Sequence, residues 1–276
     1  GMSASWTQKR DQFGGLGVYT IIYLVFIYGP VLVLPIFSFN DSIYVAFPLK
    51  GFTLQWYEDM INNPRMLEAL MNSLKVGGTV AVLSTILGTL AAKAVTGYRM
   101  PGRGPVVVFI MLPLVIPEII MGLALLVMVN TGGIDLSLLT IGIGHMLLCV
   151  PFSMVVMISR LEGFDKKLEE AALDLGENPW WTFWRVTFPL VMPGLIASLL
   201  LTFTISFDEF ILSFFLSGTD VTLPLFIWSQ LRFPAKLPGV LALGATILTV
   251  TFFMVTFAEW FRRRGDQLRQ GSYGEL

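Results

Sequence analysis

Charge is scarce in this sequence. Of 276 residues only 13% are Asp, Glu, Lys or Arg, while hydrophobic residues make up 55% and the mean hydropathy is +0.73. A soluble domain carries roughly a quarter charged residues, because its surface must be wetted. The polar groups here are too few for that, so the chain reads as an integral membrane protein. The net charge of −1 supplies no basic field for nucleic acid. A single cysteine, Cys149, excludes a disulfide within the chain and any cysteine metal site. A single histidine, His145, excludes HExxH designs and most histidine-clustered metal sites. There is no GxSxG elbow for a serine hydrolase and no Walker A pattern, GxxxxGK[ST], for nucleotide. The chain therefore reads as a non-enzyme with no cofactor or metal of its own.

What is present is a set of long apolar runs. Crossing the hydrocarbon core takes about 20 mostly apolar residues, and six runs meet that length: Val18–Phe39, Leu67–Val95, Pro105–Asn130, Ser137–Ser159, Pro193–Ser217 and Leu237–Phe261. The first follows Lys9 and Arg10 as in a signal sequence. It is too long and lacks a small-residue cleavage site, so it reads as a retained helix. Gly1 ahead of Met2 reads as a remnant of tag removal. The expectation is one all-α membrane domain over 18–261, with a cytoplasmic segment 1–17, a long loop at about 160–192 and a cytoplasmic tail 262–276.

Basic residues are partitioned between the loops. One side holds Lys9, Arg10, Lys93, Arg99, Arg103, Arg160, Lys166, Lys167, Arg185, Arg262, Arg263, Arg264 and Arg269. The other holds Lys50, Arg65, Arg232 and Lys236, with Lys75 inside the start of the second span. Cytoplasmic loops carry the excess of Lys and Arg, so both termini are expected in the cytoplasm. The outer loop Asn40–Met66 carries Trp56 and Tyr57, which suit a membrane surface or a docked partner.

The loop Arg160–Met192 is longer than a connection requires. From Lys166 to Leu175 it consists of good helix formers, with Leu168, Ala171, Ala172 and Leu175 spaced for one apolar face. Gly176 fits a helix terminator and Pro179 a restart. Trp180, Trp181, Phe183 and Trp184 then form an aromatic cluster suited to the membrane interface. The residues alone allow either a helix lying on lipid headgroups or one docked on a cytoplasmic protein.

Three acids interrupt the spans: Glu118 in the third, Asp208 and Glu209 in the fifth. Each costs about 2.5–3.5 kcal/mol on the insertion scale, so each asks for a functional account. Pro113 and Pro117 break the hydrogen-bond ladder just before Glu118, as is tolerated where backbone lines a cavity or is buried in protein. The acids sit at similar depth and are expected to converge. Thr204 and Asp208 fall on one helix face, Glu209 and Ser213 on the next. Phe203, Phe207, Phe210, Phe214 and Phe215 offer ring faces to a cation. No basic residue lies deep in spans three to six, which favours a cationic cargo over internal ion pairing. His145 reads as an interhelical hydrogen-bonding group rather than a proton relay, which needs a chain of partners. Ser84, Gly88 and Ala92 form a small-xxx-small face for close helix packing, with a companion subunit as one possible neighbour.

The pattern Glu170-Ala171-Ala172, then Gly176, then Pro189, resembles the EAA loop of permease subunits in type I ATP-binding-cassette (ABC) importers. Val186 and Phe188 stand where that family usually has Ile and Leu, and Glu177 where a small residue often follows the glycine. The wider sequence is similar to spermidine/putrescine permeases, specifically the second of their two membrane subunits. The similarity runs through Gly51–Tyr57, Asn72-Ser73-Leu74, Pro117-Glu118-Ile119, Leu161–Asp165 and Ser206-Phe207-Asp208-Glu209. Members usually place Asp at position 209.

The resemblance implies a MetI-like permease fold of six transmembrane helices in the bacterial inner membrane. Its cytoplasmic coupling helix, through Glu170, Ala171, Ala172 and Gly176, meets an ATPase carrying ATP and Mg on a separate polypeptide. It implies further partners: a homologous second permease, two ATPase copies and a periplasmic or extracellular binding protein. It also implies polyamine in a pathway lined by Glu118, Asp208 and Glu209; Trp228, in the outer segment Leu223-Pro224-Leu225-Phe226-Ile227-Trp228, is a further candidate for a periplasmic gate or binding-protein contact. Relatives of this kind also import opines, amino-acid-like compounds and other small solutes. An ion-coupled secondary transporter would explain the acids too, yet it usually has inverted repeats and more spans, and it leaves the EAA-like loop without a purpose.

Overall fold

A computed structural model describes residues 4–97, 101–162 and 167–273, with side chains outside 4–14, Val255 and 257–273. Arg99, the stretch 163–165 and Lys166 lie outside the described residues, as do the side chains of Lys9, Arg10, Arg262, Arg263, Arg264 and Arg269. The described chain is helical. In order it forms α1 (Ala4–Ser38), α2 (Gln55–Ile61), α3 (Pro64–Gly97), α4 (Arg103–Met111), α5 (Glu118–Thr131), α6 (Leu138–Glu162), α7 (Lys167–Asp174), α8 (Pro179–Thr182), α9 (Phe188–Asp208), α10 (Ile211–Leu216), α11 (Leu223–Leu231) and α12 (Leu237–Tyr273). Five stretches are single helices long and apolar enough to cross a membrane, and α4 with α5 makes a sixth if that bent pair is one span.

Two expected spans are not single rods. The third bends by 96° between its two helices. A 3₁₀ turn at Leu112–Leu114 and an extended Pro117 (φ −56°, ψ 129°) separate α4 from α5. Pro113 and Pro117 each lack an N–H for the ladder, and Pro117 keeps the residue before it out of the helical region. The fifth begins far earlier than Pro193. A continuous 30-residue helix runs from Pro179 to Asp208, widening to a π-helix at Phe183–Thr187. It then stops at Glu209 (φ −70°, ψ 115°), and α10 resumes two residues later.

The chain divides into two compact units, one of residues up to Asn63 together with those from Gln230, the other Pro64–Ser229. In the first, α12 packs on α1 and α2, and Leu34 rests on Gly244. The loop after α1 folds on itself through Asn40. Its carbonyl accepts from Trp56 Nε1 at 2.9 Å, and its Oδ1 accepts from the Lys50 amide at 2.8 Å. Tyr57 OH meets Ser38 Oγ at 2.6 Å. Trp56 and Tyr57 are thus engaged in folding the loop, which takes up the polar ends expected to face a surface or partner.

The second unit is built on α3, α6 and α9. Each turns a stripe with four-residue spacing inward: Val76, Val80, Ser84, Gly88 and Ala92 on α3; Ile141, His145, Cys149, Ser153 and Met157 on α6; Gly194, Ser198, Thr202 and Ser206 on α9. Small side chains let the backbones approach, and hydroxyls then bond across the gap. Ser198 Oγ donates to Ser153 Oγ at 2.7 Å and lies 3.0 Å from Thr85 Oγ1, so three helices meet at one serine. The small-xxx-small face of α3 is therefore spent inside the chain, against α6, and is not offered to a companion. Gly88 is its tightest point. A Cβ there would overlap Ser153 Oγ and lie 2.8 Å from the Met154 amide.

Gly88→Ala is expected to lower stability by about 1–3 kcal/mol through overpacking. Gly78→Ala, where a Cβ meets nothing within 4 Å, serves as the control. Thermal unfolding in detergent reads the difference, and equal melting of the two variants would remove the close-approach account.

Candidate functional site

Two clusters in the second unit carry the residues singled out from the sequence, and one helix joins them. The first is the segment after α6. Helix α7 ends where Gly176, at φ +89°, takes the left-handed conformation. The Gly176 amide donates to Leu173 O at 2.9 Å and the Glu177 amide to Ala172 O at 3.1 Å, a Schellman pair that satisfies the last carbonyls of the helix. Asn178 then caps α8, its Oδ1 accepting from the Trp180 amide at 2.7 Å, with Pro179 in the first helical position.

Around this turn the side chains divide into used and unused. Thr187 in the π segment donates to Glu169 Oε1, and Arg185 pairs with Glu177 at 2.6 Å while its guanidinium lies 5.0 Å from the Trp181 ring centroid. Trp184 stacks against Trp180, Phe183 and Phe188. Glu170 and Ala171 are exposed, Ala172 is half-buried, and Leu175, just past the helix end, is 88% exposed. Glu169 is the acid that ties α7 to the long helix; Glu170 faces outward. Sequence reading missed that division, because both residues are equally good helix formers in a first turn.

The second cluster lies at the breaks. Glu118 is the first residue of α5, directly after the bend, and it is exposed rather than mid-helix. Asp208 is the last residue of α9, and Glu209 is the first beyond it. Both acidic sites therefore sit at interruptions of the helical ladder. Glu118 and Asp208 both lie close enough to Glu209 to act on it electrostatically. Among the described residues no basic side chain forms an ion pair with any of the three.

Glu209 also has a local task. Its Oε1 accepts from the Leu212 amide at 3.0 Å, capping α10. The helical face expected to pair Glu209 with Ser213 is replaced by a tighter contact, in which Ser213 Oγ donates to Glu209 O at 3.0 Å.

The rings around the acids are not equivalent. Phe203 packs over Gly77 of α3, and Phe215 packs over Gly122 of α5, where a Cβ would lie 2.5 Å from its ring. These two serve packing. Trp228 on α11 contacts Phe210 and Phe214 at centroid distances of 5.7 and 5.6 Å. That aromatic group, partly exposed, borders the Glu209 break. Trp228 is thereby brought to the acids, whereas its position in the sequence suggested only an outer segment.

Asn72 and Ser73 anchor the connection before α11. Asn72 Nδ2 donates to Val221 O at 3.0 Å, and Ser73 Oγ accepts from the Leu223 amide at 2.8 Å. No group of three His, Cys, Asp or Glu able to hold a metal occurs among the described residues.

Replacing Gly176 by Ala forces a side chain into the left-handed region at about 1–2 kcal/mol. Amides of α7 are expected to exchange roughly tenfold faster in hydrogen-exchange mass spectrometry, and unchanged exchange would argue against the turn as the brace of this segment.

Comparison with known proteins follows the same lines. The family described as "Binding-protein-dependent transport system inner membrane component" matches residues 76–266. The chain is 34% identical to the spermidine/putrescine transport system permease protein PotC of Escherichia coli (strain K12), over 90% of this chain and 93% of that protein. It is also 34% identical to the putrescine transport system permease protein PotI of the same organism, over 88% and 89%. Among solved structures it resembles a bacterial ABC transporter involved in the import of the acidic polysaccharide alginate, with a TM-score of 0.67 at 16% identity over 90% of this chain and 96% of that one. A bacterial alginate ABC transporter in complex with a pentasaccharide-bound periplasmic protein gives 0.69 at 18% identity over 94% and 97%. At these identities the likeness concerns the fold.

Proposed function

The chain belongs to the binding-protein-dependent transport system inner membrane components and is the permease subunit of an ABC importer, and from that premise we propose that its cargo is a small organic polycation of the putrescine or spermidine class. The observation that carries the proposal is the placement of Glu118, Asp208 and Glu209 at two helix breaks, with Glu118 and Asp208 both within electrostatic reach of Glu209 and no basic partner among the described residues. Uncompensated carboxylates in a low-dielectric pathway lower the energy of a passing ammonium group. The aromatic group of Phe210, Phe214 and Trp228 adds ring faces beside them. The two Escherichia coli relatives, named for spermidine and putrescine transport, support the same class.

In this reading the chain is half of a pathway whose other half is a homologous second permease. Both termini and the α7–α8 segment face the cytoplasm, where the excess of Lys and Arg lies. The exposed Glu170 and Ala171, with the half-buried Ala172, meet a cleft on one of two ATPase copies, and a periplasmic or extracellular binding protein delivers the cargo. ATP and Mg remain on the ATPase. The coupling path is mechanical. Thr187, bonded to Glu169 of α7, sits in the helix that runs unbroken from Pro179 to Asp208, about 45 Å at 1.5 Å per residue. A displacement of α7 is passed along this helix to the acids as a near-rigid motion.

The decisive experiment measures ATP-dependent uptake of labelled putrescine and spermidine in proteoliposomes holding the complete complex and its binding protein, with neutral and anionic solutes beside them. The Asp208→Asn/Glu209→Gln pair keeps one acceptor oxygen on each side chain, enough for the cap on α10, and removes the charge. Its polyamine uptake is expected to fall at least about tenfold in kcat/KM; uptake of a neutral solute unaffected by the pair would refute the cationic cargo. Glu170→Lys is expected to leave ATP hydrolysis running while uptake stops, and normal uptake would remove this surface from the ATPase contact.

A further inference from the structure

His145 is 1% exposed and belongs to neither cluster, yet both of its ring nitrogens are engaged. Nδ1 lies 2.8 Å from Ser206 Oγ, in the last turn of α9, and Nε2 lies 3.1 Å from Ser213 Oγ, in α10. The single imidazole therefore spans the break at Glu209 and holds both of its sides. Counting hydrogens assigns the ring. Ser213 has one hydroxyl proton and gives it to the Glu209 carbonyl, so toward His145 it can only accept, and Nε2 must carry the proton. Ser206 Oγ has Nδ1 as its one partner among the described residues, so its proton points at Nδ1, which accepts. Both contacts are met by a neutral ring in the Nε2–H tautomer.

From this chain of bonds we infer that His145 is a positioning residue for the pathway acids: it fixes Ser213, Ser213 fixes the Glu209 backbone, and the Glu209 carboxylate is thereby set at the mouth of the break. Glu209 is held at three points, its carbonyl by Ser213, its Oε1 by the Leu212 amide, and its preceding turn by Ser206 through the ring. Without the imidazole the two hydroxyls have only their own helices to turn to. The two sides of the break would lose the side chain of α6 that joins them, and the carboxylate would no longer have one orientation. The inference rests on the cationic-cargo reading for its transport consequence, and on hydrogen bonding alone for the state of the ring.

The test has two arms. His145 is the only histidine in the sequence, so histidine-selective ¹⁵N labelling of the full chain, free of any polyhistidine tag and in liposomes, yields one imidazole. Expected are one protonated and one unprotonated nitrogen with the proton on Nε2; Ser213→Ala should move the Nε2 resonance and Ser206→Ala the Nδ1 resonance. A doubly protonated ring, or the proton on Nδ1, overturns the inference. In the uptake arm, His145→Leu should raise the KM for the transported polyamine about tenfold with a smaller change in maximal rate. His145→Gln, whose amide can both donate and accept, should restore most of it. In a Glu209→Gln background His145→Leu should add less than about twofold, because both act through one carboxylate.

An unchanged KM, or additive effects, overturns positioning. Failure of His145→Leu to fold leaves the decision to His145→Gln, whose KM must stay near that of the parent, and to the resonance. A parent complex that imports no cation refutes the cargo reading instead, and the resonance then decides the bridge by itself.

Discussion

Hydrocarbon offers no hydrogen bonds, so every polar group inside it must find its partner within the protein. The rest of the Pro64–Ser229 unit follows from how α3, α6 and α9 meet that demand. Their inward stripes combine small residues with hydroxyls, and the two depend on each other. Gly88 lets α6 come close enough for Ser153 to reach Ser198, and Ser198 in turn lies beside Thr85. Cys149 and Thr202 repeat the pattern one turn along, the thiol facing the Thr202 carbonyl at 3.6 Å. Apolar contact alone would not select this arrangement, since lipid tails solvate Leu and Met as well as a helix does. Close approach with hydroxyls bonded across the gap, as at Thr85, Ser153 and Ser198, does select it, although Ser84 Oγ on the same stripe has no partner among the described residues.

Against this rigid frame the interruptions stand out. A broken ladder exposes amides and carbonyls that must be satisfied locally, and the break at Glu209 is supplied with polar groups. Glu209 caps α10, Ser213 bonds the Glu209 carbonyl, and His145 joins the two sides. Glu209, one of the acids proposed to meet a cation, is thus partly explained by structure. An acid capping a break satisfies backbone, and the same acid, at the same depth, presents charge. The break explains how a membrane protein can hold a carboxylate there at all, since a carboxylate accepting an amide hydrogen bond costs less than an unpaired one.

The same economy links the two clusters. The long helix carries the Thr187 contact to α7 near one end and Asp208 at the other. Its π-helical turn falls just before Pro189, which cannot donate to the Arg185 carbonyl. The wider turn gives the segment its packing surface against α7 and α8. A permease that transmits force from one surface to a site far from it needs a stiff element between two adaptable ends, and this helix with its flanking turns has that form.

Much of this was legible in the sequence because bilayer chemistry constrains composition directly. Low charge, apolar runs of about 20 residues, the Lys and Arg asymmetry and the Gly176–Pro179 punctuation each follow from local physics: the transfer energy of a side chain, the length of a helix turn, the φ a residue can adopt. The proline pair before Glu118 likewise announced a break. What the sequence could not decide was direction and partnership. Periodicity reads the face of a helix but not what lies against it. The Ser84–Ala92 face, open to assignment to a companion, is covered by α6; Trp56 and Tyr57, read as surface groups, bond back to Asn40 and Ser38. The interruption at Glu209 has no proline to mark it. His145 and Ser213, 68 residues apart, meet there. Such a contact is a property of packed helices, written in no single stretch of chain, and it sets where the acids stand.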